Sequence, residues 1–230
     1  MELSKRLNWI VGKLEKSNVI MDVGTDHGYI PIYLVKNNIA SKVIASDINK
    51  EPLKKAEINA SLDGVRDKIE LRLGGGLQPL KNKEAEAVII AGMGGNLIRD
   101  ILEHDLNKVK NLNYLILQPA QNPEVLREYL YTNNYEILEE DLCLDEGKYY
   151  EIFKVRYIIG NALKLDSIYY EISPILLKNK SYLLKDYIEY KIEKYKKVVE
   201  FINDVTEHAI SRKIELKNKI ETLEELLKNF

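Results

Sequence analysis

Apolar positions in the first 160 residues fall into short unbroken runs, separated by stretches in which they return every three or four residues. Leu3, Leu7, Ile10, Val11 and Leu14 have that second spacing and predict an opening helix with Ser4 as its N-cap. The run "NVIMDVG" predicts a buried strand that stops at a glycine. "YIPIYLVKN" reads as a helix with an early proline, and "KVIASDIN" as a second strand. "EPLKKAEINASLDG" is helical, with Pro52 in its first turn and Gly64 as its stop. "KIELRLGGG" and "EAVIIAGMGG" are strands three and four, each running into glycines. "NLIRDILEHDL" is a helix, "NYLILQP" a fifth strand, and "PEVLREYLYTNN" a helix that ends at Asn133 and Asn134. "YEILEEDLCLDEGKYYEIFKVRY" predicts two long strands around an Asp145-Glu146-Gly147 turn.

Strands alternating with helices imply an α/β fold whose mostly parallel sheet is joined by right-handed crossovers. The architecture expected is a doubly wound, Rossmann-like sheet, closed by a hairpin that adds an antiparallel strand. Nicotinamide-binding domains are usually all-parallel, so the hairpin points elsewhere. The pattern changes after about Ile159, and the chain divides into domains 1–159 and 160–230. From Ser173-Pro174 onward it is helical and charged. Leu184, Ile188, Ile192, Tyr195, Val199 and Ile202 form one stripe; Ile210, Ile214, Ile220, Leu223 and Leu227 form another. A break near Asn203-Asp204 would let two helices pair antiparallel, in a coiled-coil-like domain. Its mixed Lys and Glu also suit a plain structural or interaction hairpin.

Composition narrows the function classes. The 230 residues are 45% hydrophobic with a formal net charge of −2, so bulk charge gives no sign of a nucleic-acid binder, although a local basic face can serve one. The single Cys143, set between two leucines, excludes a disulfide framework and a multi-cysteine zinc site and reads as core. No leader-like or membrane-spanning run is visible, and the expected location is cytoplasmic. His104 and His208 sit in helices without partner spacing and read as ordinary surface residues, and no metal site is expected.

Ligands of open α/β sheets bind at the carboxyl ends of the strands, at the switch point of strand order. After strand one stands Asp22-Val-Gly24-Thr-Asp26-His27-Gly28. A dinucleotide loop would be G-x-G-x-x-G, which is absent, and Asp26 at the middle position would repel a diphosphate. The carboxylate suits a cofactor with a cationic amino-acid portion, such as S-adenosylmethionine. The same residues also fit an ordinary strand-to-helix turn. After strand two, Asp47 followed by Ile48 can accept both hydroxyls of a ribose. Gly74, Gly75 and Gly76 after strand three, and Gly92, Gly94 and Gly95 after strand four, let backbone approach an adenine or the reacting centre. Met93 could pack on a ring, and the amide of Gln118 after strand five could read a base edge.

The set as a whole resembles a known family. "LSKRL" at 3–7, "DVGTDHGYIP" at 22–31, "ASDIN" at 45–49, "AGMGG" at 91–95, "LILQP" at 115–119 and "SPILLKNK" at 173–180 are similar to bacterial tRNA (adenine-22 N1)-methyltransferases, along nearly the whole chain. The resemblance implies a class I methyltransferase sheet with a C-terminal helical domain, S-adenosylmethionine as cofactor, and methylation of N1 of an adenine in the D-arm of tRNA. It implies that Asp22, Gly24, Asp26, His27 and Gly28 face the methionine part, that Asp47 faces the ribose, and that Gly92, Met93, Gly94 and Gly95 border the transfer site. One position departs from the family pattern: an acidic residue able to contact the adenine amino group is expected where Gly75 stands, which leaves backbone contacts there.

N1 of adenine has a free lone pair and no proton at neutral pH, so positioning groups and a nearby anion matter more than a strong base. Asp26 is the candidate catalytic residue, with His27 able to orient a contact. The loop [DNS]-P-P-[YFW] of many amino-directed adenine methyltransferases is absent, which is compatible with ring-nitrogen chemistry. Tyr29 is a candidate stacking partner for an extruded base, or a helix-packing residue. Lys5, Arg6, Lys13 and Lys16 form one basic patch, and Lys191, Lys194, Lys196 and Lys197, interleaved with Tyr187, Tyr190 and Tyr195, form another. Arg6, Lys194 and Lys197 are the candidate RNA-binding cations, and the patches are expected to clamp phosphates on either side of the cleft. The partner is then tRNA, with no membrane and no metal, and the protein is taken as a monomer. The competing readings are a small-molecule methyltransferase that dimerises through the hairpin, a non-catalytic RNA-binding protein with a vestigial loop, and a nicotinamide oxidoreductase.

Overall fold

The structure is a computed structural model that describes residues 2–202, 206–228 and 230. It divides into two compact units, residues 1–164 and 165–230. The sequence pattern had changed slightly earlier, near Ile159.

In the first unit, strands β1 (Ser17–Val23), β2 (Ala40–Asp47), β3 (Ile69–Leu73), β4 (Ala87–Gly94), β5 (Tyr114–Gln121), β6 (Tyr135–Asp145) and β7 (Lys148–Tyr157) form one sheet in the order β3-β2-β1-β4-β5-β7-β6. The first five are parallel, and β7 runs antiparallel to both β5 and β6. This is the doubly wound sheet with a closing hairpin that the alternation predicts. The unbroken apolar runs have a physical cause, because a central parallel strand is covered on both faces. Ile89 and Ile116 face one core, while Val88, Ile90, Leu115 and Leu117 face the other. All six are fully buried, each contributing about 1.5–3 kcal/mol of transfer free energy. Cys143 lies in the first core.

The connecting helices are α1 (Lys5–Val11), α2 (Tyr29–Lys36), α3 (Lys50–Leu62), α4 (Gly95–His104), α5 (Leu106–Val109) and α6 (Pro123–Thr132). Ser4 caps α1 as expected, its hydroxyl accepting from the Leu7 N–H. The helix is shorter than the spacing suggests: it stops at Gly12, and Leu14 reaches the core from the segment beyond. Two consequences of strand order matter for function. The order reverses between β1 and β4, which opens a crevice at their carboxyl ends. The β4–β5 register is also irregular on both sides of Met93, so the end of β4 is re-aimed where the glycines begin.

The second unit contains α7 (Ile168–Glu171), α8 (Pro174–Lys178), α9 (Leu184–Phe201) and α10 (Glu207–Leu227). The turn expected near Asn203-Asp204 lies outside the described residues. Lys213 reaches the Ile202 carbonyl while Lys196 pairs with Glu224, so positions descend along α9 as they rise along α10 and the helices are antiparallel. The first stripe is buried through Leu184, Ile188 and Ile192, but Ile202 lies past the end of α9. The second stripe needs correcting. Ile210 and Ile214 are 49% and 55% exposed, and the covered face of α10 runs through Leu216, Ile220 and Leu223. The "SPILLKNK" segment starts α8, where the buried Ser173 hydroxyl accepts from the N–H groups of Ile175 and Leu176. Glu171, 4% exposed, gathers Lys191, Lys219 and the Tyr195 hydroxyl at 2.7–2.8 Å. These cations offset the cost of its burial and hold its carboxyl down at about 2.

Candidate active site

Two cavities open at the carboxyl ends of β1 and β4, and both are lined by Gly24. Gly24 has φ +74°, the left-handed region that favours glycine, and a Cβ there would also displace the terminal methyl group of Met93.

The larger cavity measures about 600 Å³. Asp47 and Ile48 at the end of β2, Gly75 and Gly76 after β3, and Met93 on β4 bring five of the expected residues together there. Asp47 Oδ1 accepts from the Asn49 N–H at 2.7 Å, which fixes the turn and leaves Oδ2 without a partner among the described residues. The opposite wall is α4, through Leu97, Asp100, Ile101 and His104. Here sequence reasoning fell short. His104 is exposed, as expected, but also lines the cavity, and Asn49, Leu97, Asp100 and Ile101 went unnoticed. The available signal was the i, i+3, i+4, i+7 spacing of the α4 positions, on a helix that starts directly at the glycines. Lys108 secures the rim. Its ammonium donates to the carbonyls of Leu77 and Gln78 at 2.8 and 3.2 Å and pairs with Asp105 at 3.0 Å.

The smaller cavity, about 380 Å³, is lined by Arg6, Asp22, Asp26, Tyr29 and Gly92 besides Gly24. Asp22 is 5% exposed, and burial pushes its carboxyl up to about 6; the nearby Thr25 hydroxyl counters only part of that shift. Asp26 is exposed, with its Oδ1 3.4 Å from His27 Nε2. His27 adopts φ 58° and lies parallel to the Tyr29 ring, 5.4 Å between centroids. The Arg6 guanidinium donates to Gln118 Oε1 at 2.6 Å, and the Arg6 backbone N–H donates to Asp145 Oδ2 at 2.9 Å. Two carboxylates and one guanidinium around one cavity match an amino acid's ammonium and carboxylate, with one negative charge in excess.

The remaining expected residues lie outside both cavities. His27 and Gly28 belong to the turn that begins α2. Gly94 and Gly95 begin α4, and a Cβ on Gly95 would overlap the Asn122 carbonyl oxygen and come within 3.1 Å of that of Gln121. Gln118 is not placed as expected for reading a base edge. It is fully buried, with its Oε1 taken by Arg6 and its amide donating to the Pro119 carbonyl at 2.8 Å, so it positions Arg6 instead. The basic patches are thinner than the sequence suggests. Lys13 pairs with Glu139 and Asp141 at 3.0 and 2.9 Å, and Lys196 with Glu224 at 2.8 Å. Lys191 is not a surface cation at all: it is 5% exposed and bonded to Glu171, while Tyr187 beside it is buried. Lys194 and Lys197 are exposed and carry no ion pair among the described residues. Among those residues there is also no cluster of three His, Cys, Asp or Glu able to hold a metal, and no helix long and apolar enough to cross a membrane.

Comparison with known proteins gives this geometry a context. The family model described as TrmK, tRNA (adenine(22)-N(1))-methyltransferase, matches residues 20–225. A Bacillus subtilis protein named tRNA (adenine(22)-N(1))-methyltransferase is 32% identical, over 99% of this chain and 98% of its own length. The crystal structure of the B. subtilis M1A22 tRNA methyltransferase superposes with a TM-score of 0.85 at 32% identity, covering 98% of this chain and 99% of that one. The Mycoplasma capricolum TrmK structure, in complex with S-adenosylhomocysteine, gives 0.84 at 30% identity, covering 99% of each. With a matching sheet, a matching helical unit and this identity along its whole length, the chain belongs to the tRNA (adenine(22)-N(1))-methyltransferase family.

Proposed function

We propose that this protein transfers a methyl group from S-adenosylmethionine to N1 of adenine 22 in the D-arm of tRNA, acting as a cytoplasmic monomer. The observation that carries the reading is the pair of cavities meeting at Gly24. The donor sets fit the two ends of the cofactor. Asp47 beside Ile48, Met93 and Leu97 offers a hydroxyl acceptor next to apolar walls for a nucleoside. Asp22, Asp26 and Arg6 offer both charges to an amino acid.

When bound, S-adenosylmethionine supplies an electrophilic methyl group on a cationic sulfur. The chain's own residues then have five tasks. Gly24, which lines both cavities, lies where the nucleoside end meets the amino-acid end. Asp22, desolvated at the end of β1, takes the ammonium, and Arg6, held by Gln118, takes the carboxylate. Asp26 supplies the negative charge near which the methylated base becomes a cation, and no general base is required, because N1 carries no proton. Tyr29, backed by the parallel His27 ring, presents an aromatic face to a base turned out of the RNA helix. Lys194 and Lys197 hold phosphates.

The test is incubation with labelled S-adenosylmethionine and unmodified tRNA, followed by digestion and nucleoside mapping. N1-methyladenosine at position 22 is the expected product. Absence of transfer to any tRNA, with S-adenosylhomocysteine still bound, would overturn the reading in favour of a small-molecule methyltransferase.

A further inference from the structure

The larger cavity must tell adenine from other purines, and adenine differs at one edge by an amino group that donates hydrogen bonds. A selective wall therefore needs an acceptor there. Ile48, Met93, Leu97 and Ile101 supply apolar wall, and the cavity's carboxylates are Asp47, Asp100 and Asp105. Asp47 Oδ1 is committed to the Asn49 N–H, and its position beside Gly24 suits ribose. Asp105 pairs through Oδ1 with Lys108, whose ammonium also binds the Leu77 and Gln78 carbonyls and so brings a cation beside that carboxylate. Asp100 remains. Both bonds it receives from Arg99 fall on Oδ1, so Oδ2 has no partner among the described residues. A Cβ on Gly76 would stand 3.1 Å from the Ile101 side chain, which brings the face of α4 that carries Leu97, Asp100 and Ile101 up against the glycine loop.

We propose that Asp100 accepts the adenine amino group of the cofactor and sets its base specificity, a task that the side-chain-free Gly75 cannot perform. This assignment rests on the S-adenosylmethionine reading above. It also makes Gly75 informative. Its φ is not left-handed, and a Cβ would meet only the Ile48 methyl group at 3.3 Å, so an aspartate can be installed there with a small shift of one side chain.

The experiment is calorimetric titration of the full chain with S-adenosylhomocysteine and with its deaminated analogue S-inosylhomocysteine, with a thermal melt of each variant as a check on folding. The wild-type protein should prefer the adenosyl compound by about tenfold or more, the usual worth of a hydrogen bond to a charged group. Asp100→Asn, whose amide can donate to the inosine carbonyl, should bring the ratio near unity. Adding Gly75→Asp to Asp100→Asn should restore the preference, and Glu103→Gln, on the same helix but outside the cavity, should leave it unchanged. An unchanged ratio in a folded Asp100→Asn variant that still binds S-adenosylhomocysteine overturns the assignment alone. A wild-type protein that binds neither compound removes the cofactor reading, and the assignment with it.

Discussion

Replacing Asp22 by Asn exchanges a desolvated carboxyl for a neutral group of the same shape. Burial raises the carboxyl from 3.8 to about 6 in the folded protein, so its protonated form is favoured there. The stabilising contribution of that proton is fully present below the unfolded value of 3.8 and is lost as pH rises through about 6. A rise from 3.8 to about 6 means that the ionised carboxylate costs about 3 kcal/mol above pH 7. Asp22→Asn should therefore be more stable than wild type by up to about 3 kcal/mol at pH 8, and the gap should close below pH 4. Urea unfolding at a series of pH values reads this directly, and the variant-minus-wild-type difference cancels the other carboxylates. The same substitution should weaken S-adenosylhomocysteine binding at pH 8 by about tenfold, because the ammonium loses its charged partner. A difference that is flat with pH, or a variant less stable at pH 8, would refute the idea that Asp22 is held desolvated for a cationic ligand.

Three further outcomes follow from particular contacts. Arg127, fully buried on α6, bonds the equally buried Glu140 and Glu151 on the closing hairpin; Arg127→Met should destabilise the first unit by about 3–5 kcal/mol in urea unfolding, and neutralising both glutamates as well should recover much of that. Gly95→Ala forces a Cβ onto the Asn122 carbonyl, a backbone atom that cannot swing away, and should cost at least about 2 kcal/mol and lower the melting temperature. Reversing charge at Lys194 and Lys197 should weaken tRNA binding and flatten its dependence on salt while leaving S-adenosylhomocysteine affinity unchanged; equal salt slopes in filter binding would exclude these lysines from phosphate contact.

The parallel strands and glycine turns were legible because each has a local cause. A strand buried on both faces must be apolar throughout, as in Val88–Ile90, and a turn that needs a left-handed φ favours glycine, as at Gly24. What could not be read depends on which way a helix faces. The α10 segment contains two overlapping apolar stripes, and only packing against α9 selects Leu216, Ile220 and Leu223 over Ile210 and Ile214. Asp100 and His104 are solvent-exposed, and their place on the cavity wall was hidden because the 74–76 loop that shares it lies distant in sequence. Arg127, Lys191 and Gln118 show the same limit for polar groups: a single charge or amide in an amphipathic segment reads as surface until its buried partner is known.

The Lys108 clamp on the Leu77 and Gln78 carbonyls, the Asp47–Asn49 turn and the tight seat of Gly95 on Asn122 fasten three of the segments that surround the larger cavity. A nucleoside entering such a space orders little chain, so little conformational entropy is lost on association. The larger rearrangement falls instead on the nucleic acid, whose target base must leave its stack before it can be reached.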